Sequence, residues 1–281
     1  MADQSVVDPE LLELIGRAAT ADGVAPLNEA ALYDLEDPSA VRQEFSRVDG
    51  LLVGYAHVDT NQPPQAWCLV DPAHRRQGIG TELMHRLDSV DSLHVWAHGD
   101  LPGARPLGVK AGLAPTRILL RLERDMTAPV SEGPAPKGIA IRVFEPGRDD
   151  AAFLELNARA FANHPEQGQM TQADLDQRIA SDWFDPEGFF LAERDGSLLG
   201  FHWTKTHTDP PVGEVYIVGV DPLAQGLGLG KLLTAHGLRH LQGRGFDRVI
   251  LYVEGDNERA LGVYRGLGFT EAMRDVQYSR P

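Results

Sequence analysis

The stretch from Val218 to Leu233, VGVDPLAQGLGLGKLL, sets Gln225 ahead of a loop with glycine at alternate positions, Gly226, Gly228 and Gly230, with Leu227, Leu229 and Lys231 between and after them. Glycine lacks the Cβ atom that keeps a ligand away from the main chain, and a helix that opens there presents N–H groups with no intrahelical acceptor. With the positive end of the helix dipole, those groups suit an anion such as a phosphate. The arrangement also stands earlier, where Arg75-Arg76-Gln77-Gly78-Ile79-Gly80 follows an Asp-Pro and precedes an apolar run. Two familiar phosphate loops fail on spacing. Gly226 to Lys231 is one residue short of GxxxxGK, and Leu232 stands where that loop needs Ser or Thr. A dinucleotide fingerprint reads GxGxxG, whereas 226–230 reads GxGxG, with no acidic residue at ribose spacing. What remains is Q/R-x-x-G-x-G, present twice.

The elements around the two loops repeat as well. Asp49-Gly50 and Asp195-Gly196 each sit between apolar runs as hairpin turns, followed by strand-like segments carrying Gly54 and Gly200. CLVDPAHRRQGIG then matches VGVDPLAQGLGLG, and LHVWA matches VILYV. Leu229, Leu232, Leu233, Leu238 and Leu241 give the segment after the second loop a helical apolar stripe, and Val249, Leu251 and Val253 alternate as a half-buried strand does. This order predicts a tandem duplication. Each half should be an α/β domain, a mixed, largely antiparallel sheet flanked by helices that begin at 11–19 and 151–161. MTAPVSEGPAPKG has no apolar period and reads as a linker over 126–138, dividing domains 1–125 and 139–281.

A chain of 281 residues with 42% hydrophobic content can build two cores. Its net charge of -15 argues against a nucleic-acid partner, so a phosphate site must work through local dipoles and a few basic side chains. A single cysteine, Cys68, leaves no internal disulfide and fits a reducing cytoplasm, where it reads as a small buried strand residue. No apolar run reaches membrane-span length and MADQSVVDPE lacks a signal peptide's basic and apolar parts, so a cytoplasmic protein without a membrane partner is expected. His236 and His240 stand at i, i+4 without the glutamate of HExxH, and no metal is expected.

The doubled Q/R-x-x-G-x-G loop resembles the pyrophosphate loop of the GCN5-related N-acetyltransferases, which use acetyl-CoA. A second motif of that family, N-x-x-A-x-x-x-Y-x-x-x-G-F, is matched by Asn257, Ala260, Tyr264, Gly268 and Phe269. The resemblance implies acetyl-CoA as acetyl donor, with Gln225, Gly226, Leu227, Gly228, Leu229, Gly230 and Lys231 at its diphosphate, and Arg75 to Gly80 likewise in the first half. It also places Asn257, Glu258, Arg259, Ala260, Leu261 and Gly262 beside the cofactor. Val218, Gly219 and Val220, and in the first half Cys68, Leu69 and Val70, would pair with the pantetheine arm, Gly219 accommodating a bulge in that strand. Tyr264 would protonate the departing thiolate, since a thiol near pKa 8.5 and a phenol near 10 are close. Glu214, in GEVYIVGV, would accept or relay the amine proton. Aligned on the two Asp-Pro pairs, Glu214 falls over Pro64, and Tyr264 falls over Lys110 when Gly112-Leu113 is set on Gly266-Leu267. The first half is therefore expected to be non-catalytic.

DGVAPLNEAAL, HPEQG, GFHWTK, GEVYIVGVDP and LYVEGDN further resemble the mycothiol-forming branch of these enzymes. That branch acetylates the cysteinyl amine of desacetylmycothiol, a cysteine-glucosamine-inositol conjugate. Carried over residue by residue, its acceptor contacts become Glu29, Glu166, Lys205, Glu214 and Tyr252. Carboxylates with one lysine suit an acceptor rich in hydroxyls and bearing an amine. Two other readings stay open, transfer to another small amine and a non-catalytic acetyl-CoA sensor. A monomer is expected.

Overall fold

A computed structural model describes residues 7–35, 41–131, 133–162 and 167–280. Local rules set the elements. Helix α1 (Pro9–Asp22) opens where the Asp8 carboxylate accepts from the Glu10 N–H at 2.9 Å with proline at the first position, and it closes on Gly23 at φ 68°. Helix α2 (Glu29–Asp34) is capped by the Asn28 side chain. Strands β1 (Arg42–Val48) and β2 (Leu51–Val58) meet at Asp49-Gly50, whose φ values of 50° and 84° are the two positive angles a tight hairpin demands. Then come β3 (Gln65–Val70), α3 (Ile79–Arg86), β4 (His94–Ala97), α4 (Ala104–Lys110) and β5 (Ala114–Asp125).

The second half follows the same plan with one more strand at its start. It runs β6 (Ala140–Val143), α5 (Asp150–Ala160), α6 (Gln172–Ile179), β7 (Phe189–Arg194), β8 (Ser197–Thr208) and β9 (Pro211–Val220). It ends with α7 (Leu229–Gly243), β10 (Arg248–Glu254), α8 (Glu258–Arg265) and β11 (Thr270–Ser279). The Asp195-Gly196 turn repeats the positive φ values, 50° and 78°.

Two compact units result. One comprises Met1–Leu120, Glu254–Asp256 and Met273–Pro281; the other comprises Arg121–Val253 and Asn257–Ala272. The units are not the two contiguous halves of the chain, because the end of β11 belongs to the first unit. There Val276 to Ser279 pair antiparallel with Ala97 to His94. Strand order in the first unit is β1-β2-β3-β4-β11-β5, with β3 and β4 parallel, and in the second β5-β10-β9-β8-β7-β6, with β9 and β10 parallel. Each sheet is covered on both faces. In the first unit α3 packs Ile79, Leu83 and Met84 on one face, and α1 packs Leu11, Leu14 and Ala18 on the other. In the second, α7 covers one face with Leu229, Leu232 and Leu233, while Phe153 of α5 joins Phe189, Phe201 and Trp203 on the other. Phe189 and Trp203 stack at 4.5 Å, and such rings bury a large apolar surface.

Candidate active site

The glycine loops are helix mouths in both units. In the second, Asp221 caps the turn Pro222–Ala224 by accepting from the Leu223 N–H at 2.9 Å, and Arg159 of α5 holds the same carboxylate at 2.9 Å. Gly226 and Gly228 follow with φ of 87° and 78°, and Gly228 caps α7 without a side-chain hydrogen bond. A Cβ at either glycine would have no atom within 4 Å, so the glycines serve backbone conformation and leave the N–H groups bare.

Gly230 departs from the sequence expectation of three alternating loop glycines. It is the second residue of α7, outside the positive-φ set, and its carbonyl accepts from the Thr234 hydroxyl at 2.7 Å as part of the helix. The loop therefore ends at Gly228, because the helix begins as soon as the chain leaves that left-handed position. Gly230 can still serve an anion, since its N–H lies in the first turn, where no intrahelical acceptor exists. The first unit copies the arrangement. Asp71 accepts from the Ala73 N–H at 2.9 Å and from Arg17 of α1 at 2.7 Å, and Gly78 caps α3 at φ 92°. Gly80 is likewise inside its helix. Arg76 adopts φ 64° where the second unit has Gly226.

Side chains distinguish the two loops. Arg75 is clamped by both carboxylate oxygens of Asp22 at 2.7 Å, which raises the pKa of its guanidinium. Gln225, its counterpart, accepts from the Arg259 guanidinium, so two residues expected at the cofactor are joined. Asn257 caps α8 through the Ala260 N–H at 3.1 Å, and Glu258 pairs with Arg265 at 3.6 Å. The side chains of Ile79, Leu229 and Leu261 lie in the core, leaving only their main-chain groups for a ligand. Lys231, Leu227, Gln77 and Gly262 are exposed.

Before each mouth a strand splays from its neighbour. β9 pairs with β8 as far as Gly200↔Val220, yet its described pairing with β10 covers only Gly213 to Val215. β3 likewise pairs with β2 up to Gly54↔Val70 and with β4 only over Gln65 to Trp67. Val218, Gly219 and Val220, and Cys68, Leu69 and Val70, all lie on these splayed stretches, where an extended ligand can add itself to the open edge. The bulge is at Tyr216, because Trp203 faces Ile217 and Thr204 faces Val215. Gly219 has another task, contrary to the sequence expectation. A Cβ there would stand 2.4 Å from the Phe201 ring, so the site is glycine because the core aromatic lies against the strand. Burial pushes the Cys68 thiol up to about 12, which keeps it neutral.

The bulge also moves the internal comparison by one residue. Glu214 faces Ile250 of β10, and the corresponding contact in the first unit joins Gln65 to His94 of β4. Gln65, not Pro64, is therefore the counterpart of Glu214. Its Oε1 accepts from the Trp96 indole N–H at 2.6 Å. Glu214 is 7% exposed, and its Oε2 lies 2.6 Å from Nε2 of His207. His207 was not singled out in the sequence. Counting back from the hairpin at Asp209-Pro210 would have found it, since Lys205 faces Glu214 and His207 is the next residue on that face.

Tyr264 lies on α8, its ring edge-on to Phe269 at 5.9 Å and its carbonyl accepting from the Leu267 and Phe269 N–H groups. Burial pushes its hydroxyl up to about 12, so the proton stays on it at neutral pH. Its counterpart Lys110 is an exposed residue closing α4. Among the residues expected at the acceptor, the Lys205 ammonium sits over the rings of Trp183 and Tyr216 at 5.0 and 5.5 Å, and the Tyr216 hydroxyl accepts from Arg178 at 3.0 Å. Tyr252 is exposed on β10. Glu29 is the first residue of α2 but its side chain lies outside the described set, as does the whole of Glu166. His240 bonds Asp185 at 2.8 Å, and His236 lies edge-on to Phe190.

The model of the acetyltransferase (GNAT) family matches residues 17–90 and 152–269. A mycothiol acetyltransferase from Thermomonospora curvata is 49% identical over 98% of this chain and 95% of its own length. Another from Streptomyces coelicolor is 46% identical over 95% and 90%. Among solved structures, a GCN5-related N-acetyltransferase from Sphaerobacter thermophilus superposes with a TM-score of 0.74 at 24% identity, covering 96% of this chain and 91% of that one. A tandem GNAT protein of the clavulanic acid pathway gives 0.70 at 20%, covering 96% and 93%. These two likenesses concern the fold. Doubled helix mouths beside splayed strands, the two-region family match and the near-full-length relatives agree: the chain belongs to the acetyltransferase (GNAT) family and, within it, to the mycothiol acetyltransferases.

Proposed function

We propose that this acetyl-CoA-dependent N-acetyltransferase acetylates the cysteinyl amine of desacetylmycothiol by direct attack, in the unit formed by Arg121–Val253 and Asn257–Ala272. One observation carries the assignment to that unit. At the point where β9 leaves β10 stands the buried carboxylate of Glu214, whereas the matching fork in the first unit holds the uncharged amide of Gln65. A carboxylate can accept a proton from an amine and an amide cannot. The acceptor itself is supported by likeness to the mycothiol acetyltransferases.

In this reading the diphosphate of acetyl-CoA lies on the bare N–H groups from Gly226 to Gly230, and the open edge at Val218 to Val220 aligns its pantetheine arm. The open space beside Gly226 and Gly228 fits that role. Glu214 receives the proton of the attacking amine, whose pKa near 8 leaves part of it neutral at physiological pH. The Tyr264 hydroxyl donates a hydrogen bond to the sulfur, which leaves as thiolate while the C–S bond breaks and the C–N bond forms. Lys205, held over two rings, together with Tyr252, contacts the sugar and inositol hydroxyls.

Mass spectrometry of the protein incubated with acetyl-CoA and desacetylmycothiol, beside cysteine and simple amines, tests this. Gain of one acetyl group on the desacetylmycothiol amine is expected, abolished by Glu214→Gln. Acetylation of the other amines alone would reject the acceptor, and product from Glu214→Gln at the wild-type rate would reject the proton acceptor.

A further inference from the structure

We propose that His207 is a positioning residue for this reaction, fixing the Glu214 carboxylate in the orientation from which it meets the acceptor amine. The inference rests on the role given to Glu214 above. A carboxylate removed from water tends to take up a proton, and once protonated it cannot act as a base. Glu214 is nearly buried, its side chain 9% exposed, so few water molecules reach it and its orientation is set by the protein groups around it. His207 Nε2 stands 2.6 Å from Oε2, a distance typical of a short, charge-assisted hydrogen bond. The imidazole N–H donates to that oxygen, which also fixes the carboxylate's rotation and leaves Oε1 for the amine.

The framework around the pair is stiff. Both residues belong to the β8–β9 ladder, whose pairing is continuous from Thr204↔Val215 to Thr208↔Pro211. His207 is 35% exposed, so its ring reaches solvent while one nitrogen holds the buried carboxylate. Lys205, directly across from Glu214, is placed over Trp183 and Tyr216, which holds its ammonium on the same face of the ladder.

Two substitutions separate this role from bulk and folding. His207→Phe keeps a ring without a donor, and His207→Gln places an amide N–H near the position of Nε2. With the full-length enzyme, acetyl-CoA and desacetylmycothiol, the Phe variant should lose kcat by roughly 100-fold, the scale of a misplaced catalytic group. KM for acetyl-CoA should hold, and the Gln variant should recover most of the loss. Wild-type kcat in the Phe variant overturns the proposal, and so does an equal loss in both variants. Should the Phe variant fail to fold, His207→Ala with added imidazole replaces it: a rate restored by imidazole supports the role, and no restoration overturns it. The wild-type rate measured alongside keeps the two readings apart. An active wild type with an indifferent Phe variant rejects His207 alone, whereas a wild type inactive on this acceptor rejects the acceptor and with it the role of His207.

Discussion

Tyr264 shows how burial changes what a residue can do. In water a phenol lies within about two pKa units of a thiol, close enough for proton transfer to a departing thiolate. Here burial holds the hydroxyl up to about 12, so full transfer to a thiolate of ordinary pKa is uphill by about 4 to 5 kcal/mol. The hydroxyl is then best used as a hydrogen-bond donor to the sulfur, a bond to a charged group worth about 1.5 to 3 kcal/mol. Tyr264→Phe is accordingly expected to lower kcat by roughly 10- to 100-fold while leaving acetyl-CoA affinity by calorimetry unchanged. Because the hydroxyl keeps its proton until the pH nears its raised pKa, the wild-type kcat/KM profile should show no descending limb from this group below about pH 10. A limb near pH 8 that vanishes in the Phe variant would contradict this reading.

At the scale of elements, β9 is the strand that assembles the site. Its lower part is held on both sides, its upper part on one, and the extra residue Tyr216 marks the change. The Tyr216 ring lies against Lys205, the lysine proposed for the acceptor, and its hydroxyl accepts from Arg178. Gly219 lets Phe201 lie flat against the same strand. Gly219→Ala should therefore destabilise the protein by about 1 to 3 kcal/mol through overpacking, read as a lower urea midpoint at unchanged slope. The same change should raise KM for acetyl-CoA, since the displaced backbone is the edge proposed for pantetheine. Unaltered stability would mean that the ring moves aside freely.

On the scale of the whole molecule, the duplication keeps the same scaffolding in both units but different residues at the fork. Arg17–Asp71 and Arg159–Asp221 are the same ion pair twice, tying the first helix of each half to its Asp-Pro turn. Both units keep the bare helix mouth and the splayed strand, but only the second has a carboxylate at the fork. A paired experiment follows. Gly228→Val and Gly78→Val place a β-branched side chain at equivalent left-handed positions, each strained by about 1 to 2 kcal/mol. Turnover should collapse in the first variant and persist near the wild-type level in the second. Equal losses would show that the first unit also takes part in the reaction.

Composition and the repeated glycine loops determined the fold class and the duplication, because these depend on local backbone needs that a short stretch of sequence displays, and the resemblance carried by the loops and the N-x-x-A-x-x-x-Y pattern implied acetyl-CoA. Glycine at φ near 80° and Asp-Gly at a hairpin are requirements of single residues. Tertiary structure alone decided the rest. Gly230 looks like its two loop neighbours in sequence, and only the start of α7 separates it from them. The counterpart of Glu214 shifted from Pro64 to Gln65 because a one-residue bulge in β9 breaks a linear alignment without leaving a gap in it. Gly219 acquired its reason from Phe201, eighteen positions earlier and on another strand. Which unit the last strand joins was settled by its ladder to β4, formed with residues more than 170 positions away. The partner of the Glu214 carboxylate, His207, appeared only when a hairpin set two separate residues on one face, because hydrogen bonds are made across space and sequence records order along the chain.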